Sequence, residues 1–423
     1  MMKTLLALSI FVIASISFAN IATADLRSEK STLAGKITNP DGQPLSGVRV
    51  DITTAAPKVG PAMFCPSCYL DCRKWDTTNE TGEFQLTELD PGLKFRLVVA
   101  GPGLRTRQSE LIDPLAGPVS IMLQNLPPDQ DPSRIVSGEV VSEDGIPIAG
   151  AFIDPYGGKT AARRWHGSVN GVDPTVSDHK GQFAMLLPEN MLALDIEITA
   201  DGFCGVLKEL LEPGTKPVAL QLPAGAEVTG KLVHKGQPVV GMSLAVVQTQ
   251  RSGERGIFIA AVGDVTRDDG SFKFQHLPFD QQYAIYTVAG EARLAASDFV
   301  LTTKVFKVPG SGVSRDLGVL TVTRSVTIRG RVERVDDLPL PENLKLSFGR
   351  EPAWDLIGIP VADDGSFKAT GLPPATCKIS VSSDDLVVVA EKPAFQLLGE
   401  LSFGIHVTQP IDGLVIPVMP HIP

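Results

Sequence analysis

Apolar and polar residues alternate along this chain in short runs, each closed within about ten residues by Gly, Pro, Asp or Asn. Alternation with period two marks strands whose one face is dry. Clear instances are Phe95 to Ala100, Leu194 to Ala200, Tyr283 to Val288 and Cys377 to Val381. Ahead of each lies one recurring turn: Thr78-Asn79-Glu80-Thr81-Gly82-Glu83-Phe84 returns as Ser177 to Phe183, Thr266 to Phe272 and Val361 to Phe367. Each copy predicts a hairpin. Its Asn or Asp starts the turn by local hydrogen bonds, its Gly supplies positive φ, and its Phe points into a core.

A second turn precedes each hairpin. Asp41-Gly42-Gln43-Pro44-Leu45-Ser46-Gly47-Val48 is rewritten from Asp144 to Ala151 and from Lys235 to Met242, with a degraded copy from Asp337 to Pro341. The glycines ahead of these turns, Gly35, Gly138, Gly230 and Gly330, are spaced by 103, 92 and 100 residues. A repeat of that size is a whole domain. With about seven strands per repeat, the pattern predicts an all-β protein of four tandem Ig-like or prealbumin-like antiparallel sandwiches. The expected divisions are a leader at 1–24, then sandwiches at 25–127, 128–223, 224–324 and 325–423. Leu126-Pro127-Pro128-Asp129-Gln130-Asp131-Pro132 reads as a stiff linker, and the joins as too poor in apolar residues to build large interfaces.

Composition then bears on location. Lys3 precedes an apolar run from Leu5 to Phe18, and Ala22-Thr23-Ala24 offers the small residues of a signal-peptide cleavage site. The expected product is exported, secreted or held at the periplasm or cell surface, with no membrane insertion after cleavage. Losing Lys3 moves the formal charge from -10 to -11. Dispersed acidity of this kind argues against nucleic acid as a partner, since phosphate contact needs clustered Lys and Arg.

The succession Gly-x-Val, Asp-Gly-x-Pro-Leu-x-Gly-Val, Thr-x-x-x-Gly-x-Phe and Leu89-Asp90-Pro91-Gly92 resembles the carboxypeptidase regulatory-like domain family, related to the Cna B-type repeats and the prealbumin-like sandwich. The resemblance is strong in the first two units, good in the third and weak in the fourth. It implies an accessory role: stalks, adhesive arrays, or companions of catalytic domains, of which none is legible here. Some Cna B-type relatives carry Lys-Asn crosslinks, for which only Lys36 and Asn125 of the first unit qualify.

Candidate chemistry is concentrated in Cys65-Pro66-Ser67-Cys68-Tyr69-Leu70-Asp71-Cys72. Three thiols on one loop suit a local disulfide, metal ligation or thiol exchange. A structural zinc wants four ligands, and the first unit has no fourth Cys or His. An oxidising compartment favours one disulfide among Cys65, Cys68 and Cys72, leaving an odd thiol. Cys204 and Cys377, each alone among apolar neighbours, read as core residues.

The three Trp residues, Trp75, Trp165 and Trp354, all fall between the two turns of their units, which predicts loops on equivalent connections. Together with His166 they are the ligand-binding candidates, Trp offering a flat apolar face with one donor. The alternative is that each Trp covers the open end of its own sandwich. None of the six His makes a His-Glu-x-x-His motif, and Gly167-Ser168-Val169-Asn170-Gly171 lacks the spacing of a nucleophile elbow. Asp129, Asp131, Asp268, Asp269 and Asp364 fall in the linker or on turns without a calcium-loop pattern. The chain therefore reads as non-enzymatic and cofactor-free: a structural spacer or adhesive array whose partner is another protein. The alternatives are a carbohydrate-binding protein and a metal or redox protein built on the three-Cys loop.

Overall fold

A computed structural model describes residues 29–420 apart from 61, 64–68, 73, 168, 250–261, 289–297, 311–312, 337, 351–356, 384, 390–395 and 400–401. The leader expected at 1–24 lies outside the described residues. Two sheets face one another in each unit. In the first, Ser31–Thr38 runs between Glu83–Leu89 and Val119–Met122, and the opposing sheet orders Trp75–Thr77, Arg49–Pro57, Leu93–Ala100 and Arg107–Gln108. The second unit repeats this with Ile135–Ser142 central in one sheet and Phe152–Lys159 beside Ala193–Thr199 in the other. Ala226–His234 and Val326–Arg334 take the central place in the third and fourth. Among the described residues the sheets are antiparallel except for one pair per unit, in which the first strand lies parallel to the last: Ser31–Thr38 with Val119–Met122, for example. Such a pair needs a long crossover, and the whole opposing sheet supplies it.

The repeated glycine and the repeated phenylalanine meet. Gly35 opposes Phe84, Gly138 opposes Phe183, Gly230 opposes Phe272 and Gly330 opposes Phe367 in the strand registers. All four rings are buried, as the alternation predicts. Burying a Phe is worth about 2 to 3 kcal/mol. The turns are built as the sequence implies: Asn79 Oδ1 accepts from the backbone N–H of Thr81 and Glu83, and Asp178 Oδ1 from those of Lys180 and Gln182. The residue ahead, Thr78 or Ser177, buries its hydroxyl between two backbone groups, for instance accepting from Val48 N–H and donating to the Leu45 carbonyl.

One expectation is corrected. The linkers do carry few apolar residues, yet the units are packed against one another by the faces of their sheets. The outer face of the first unit's sheet, with Val98 and Ala100, packs on Phe152 and Val176 of the second. A single buried cluster joins the first unit's core to Ala245, Val247, Ala284, Tyr286 and Val288 of the third. Ala62–Met63 of the first unit pairs antiparallel with Ile357–Pro360 of the fourth. Linker composition does not report interfaces made by strand faces. Among the described residues no helix is long and apolar enough to cross a membrane.

Candidate functional site

Trp75, Trp165 and His166 lie on strands, not on loops. Trp75 opens the edge strand Trp75–Thr77 and opposes Asp51. Because Arg49 and Asp51 are two apart on the neighbouring strand, all three side chains share one face, the outer one, while Val50 and Ile52 point into the core. Arg49 Nε donates to Asp51 Oδ1 at 3.1 Å and Oδ2 at 2.9 Å, and its Nη2 donates to Oδ1 at 2.8 Å. Its Nη1 donates to the Gly150 carbonyl of the second unit at 2.6 Å. The guanidinium carbon stands 4.2 Å from the Trp75 ring centroid and 5.6 Å from that of Phe152. Arg49 and Asp51 are buried, and burial pushes the Asp51 carboxyl above its ordinary range against the opposing pull of Arg49. Trp75, by contrast, is 40% exposed. The arrangement is an indole held from beneath by a buried, fully engaged arginine, at the rim where first and second units meet.

Trp165 stands differently. Its strand, Arg164–His166, lies on the edge of the second unit's sheet and opposes the far end of Phe152–Lys159, with Trp165 facing Gly158. A Cβ on Gly158 would come within 2.8 Å of the indole, so the missing side chain makes the seat for it. The ring packs against the second unit's core and lies 5.3 Å under the Arg163 guanidinium. Trp75 opposes the beginning of its neighbouring strand and Trp165 the end of its own, so the two are not at equivalent connections. Their unequal distances from the hairpin glycine were the signal of this. Trp354 lies outside the described residues.

His166 belongs to a network around Asp195, a buried carboxylate that sequence reasoning missed. Gly157 opposes both His166 and Asp195, and again its lack of a side chain makes room. Asp195 Oδ1 accepts from the Leu210 N–H at 2.7 Å. Arg164 Nη2 lies 3.1 Å from Asp195 Oδ2 and 2.7 Å from Glu209 Oε1, while His166 Nδ1 is 3.5 Å from Asp195 Oδ2. One ligand atom each of His166, Asp195 and Glu209 fall within 4.8 Å of one another. Arg164 already bridges the two carboxylates and fills the place a cation would take, so the donor set is that of an ion-pair network. An Asp flanked by Leu194 and Ile196 on a strand was the available sequence signal.

Cys65 and Cys68 lie outside the described residues. Cys72 is buried in the cluster shared by the first and third units, with its N–H donating to the Tyr69 carbonyl. Cys204 and Cys377 are buried as expected. Burial, and secondarily Glu143, push the Cys204 thiol up to about 11. Lys36 is exposed and opposes Ser120, whereas Asn125 bridges Leu104, so the register does not bring that pair together. Three of the linker and turn carboxylates are occupied as turn formers: Asp131, Asp269 and Asp364 each accept from the N–H two residues on.

No family model matches the chain, and no curated protein does. Among solved structures it is similar to the Bacillus anthracis TIE protein, at 12% identity over 94% of this chain and 76% of that one, with a TM-score of 0.20. A streptococcal ancillary pilin matches at 11% identity over 70% of this chain and 99% of that one, TM-score 0.23. A minor pilin of Streptococcus agalactiae matches at 13% identity over 47% of this chain and 98% of that one, TM-score 0.22. At such scores the likenesses lend nothing to fold or function, both of which rest on the chain's own geometry.

Proposed function

We propose that the protein is a non-catalytic, exported scaffold of four sandwiches, divided at 25–127, 128–223, 224–324 and 325–423, that presents the rim between its first two units to another protein. The observation that carries this reading is Trp75: a large aromatic left 40% exposed while the Arg49 and Asp51 beneath it are buried and paired. Interface anchors have this character, being rigid, amphipathic and ordered before binding. The repeated features of the chain, the Gly-Phe contacts and the hydroxyl-locked turns, serve the scaffold.

A carbohydrate partner is the second reading, because one free indole face also suits stacking on a sugar ring. The test is a pair of screens on the mature chain, one against glycans and one by crosslinking to the envelope proteins of its source, each repeated with Trp75→Ala. Capture of a defined protein that Trp75→Ala abolishes supports the first reading, and a glycan hit with the same dependence supports the second. Binding unaffected by Trp75→Ala in both screens overturns the assignment of this rim.

A further inference from the structure

The third unit has one sheet with two dry faces. Every residue of Ser243–Gln248 is buried, and so is each from Tyr283 to Thr287. A strand in a two-layer sandwich needs only one buried face, so alternate residues should meet water. Leu244, Val246, Tyr283 and Ile285 line the unit's own core. Ala245, Val247, Ala284, Tyr286 and Val288, on the opposite side, belong to the cluster that contains Tyr69, Leu70 and Cys72 of the first unit.

The fit is local and specific. Leu70 lies on the backbone of Gly263, where any added Cβ would collide with it, and Gly263 opposes Ala245 in the sheet. The segment Tyr69 to Cys72 is itself held to the first unit: Asp71 Oδ2 accepts from Asp90 N–H at 2.8 Å, and Oδ1 pairs with Lys74 at 2.7 Å. A second contact reaches the fourth unit, where Gly358 opposes Ala62.

We propose that the outer face of the third unit is a recognition surface whose partner is the first unit's own loop, bound in cis. Asp71 holds Tyr69 to Cys72 to the first unit independently of the third, which lowers the entropy lost on binding. The second unit holds the two partners near each other, since it contacts the first through Arg49 and the Gly150 carbonyl and the third through Cys204 against Gly225. That tether gives the cis loop a concentration advantage over a second copy. Left open, the face would be a contiguous apolar patch of the sort that soluble proteins cover. The docked loop therefore closes the first unit over the third and fourth, and undocking it opens the chain.

The test uses the mature full chain carrying Ala62→Cys and Gly358→Cys, oxidised at low concentration, with the link between the introduced thiols identified by peptide mapping. An intramolecular crosslink in the monomer is expected. Adding Leu70→Asp, which puts a carboxylate where a half-buried leucine packs on Gly263, should reduce its yield about tenfold and raise binding of an apolar dye. Gly263→Val repeats the test from the receiving side, with no further change in the first unit. A crosslink only between chains, no crosslink at all, or a yield indifferent to both Leu70→Asp and Gly263→Val overturns the proposal.

Discussion

Gly35 and Phe84 face each other across two antiparallel strands, and the Phe84 ring occupies the space beside the glycine: its Cε1 is 2.6 Å from where a Cβ on Gly35 would stand. The other side of Gly35 is equally close, with the Val119 carbonyl oxygen 2.6 Å from the same point. The glycine is therefore there for space, on both sides at once, and its φ is ordinary. Phe183 over Gly138 and Phe272 over Gly230 repeat the contact at 2.6 and 2.5 Å.

Gly35→Ala should thus behave as an overpacking substitution and cost about 1 to 3 kcal/mol. Replacing Phe84 by Leu in the same chain relieves the clash on the ring side and leaves that with the Val119 carbonyl, so the double variant should lose less than the sum of the two single ones. A four-unit chain has no single unfolding transition. The measurement is hydrogen exchange resolved to the strands of the first unit, where additive losses would refute the contact.

Removing the carboxylate beneath Trp75 should be costly. Asp51→Asn leaves the Arg49 charge buried without a counter-charge, facing a neutral amide, the Gly150 carbonyl and two aromatic rings, a loss of about 3 to 5 kcal/mol by comparison with other broken buried pairs. Replacing both residues by apolar ones of similar volume should recover much of that. Exchange protection in Arg49–Pro57 and Phe152–Lys159 reports the result on both sides of the interface.

What the sequence made legible was what repeats. The hairpin turns, the glycine markers and the inward Phe positions follow from local chemistry written four times over, so the sandwiches could be read off. Contacts between units are written once each, and they hide as ordinary residues. Arg49 and Asp51 alternate with Val50 and Ile52 as any solvent-facing pair would. Gly263 and Leu70 lie 193 positions apart. The run Leu244-Ala245-Val246-Val247 did carry a trace of its interface, since an apolar stretch without alternation means two covered faces. The Trp residues misled because a shared interval between turns does not fix a shared strand end.

Acid should weaken the turns and ion pairs before the cores. Hydrogen bonds from Lys231 hold the Asp269 carboxyl well below its ordinary 3.8, and those from the Arg334 guanidinium bring Asp336 down to about 2. Asp364 and Asp131 are lowered by the hydroxyls and N–H groups of Ser366 and Ser133. A carboxyl with a lower pKa folded than unfolded binds fewer protons when folded. Its contribution is fully present above 3.8 and is lost as pH falls through its folded value. Exchange protection in the strands flanking these turns should therefore show no decline from these groups at pH 5 and should drop between about pH 4 and 2. In Asp336→Asn, the part of that drop due to Asp336 should be missing.

Trp75 and Trp165 should separate cleanly by stability. Trp165 fills the space over Gly158 and packs on the second unit's core, so Trp165→Ala opens a cavity and should cost about 3 kcal/mol or more. Trp75 has one face in water and one on Arg49, and losing a partly exposed cation–π contact costs about 0.5 to 1 kcal/mol. The sequence alone predicts that both changes leave the melting temperature nearly unchanged; the packing around Gly158 makes that true of Trp75 only. Gly158→Ala gives an independent check, because a methyl at that position would meet the indole at 2.8 Å and displace it. Hydrogen exchange across Phe152–Lys159 and Ala193–Thr199 should rise in Trp165→Ala and in Gly158→Ala. In Trp75→Ala it should stay unchanged there while binding to any partner of the rim is lost. Equal protection in all three variants would mean that Trp165 is not a core residue, and would restore it as a ligand-binding candidate beside Trp75.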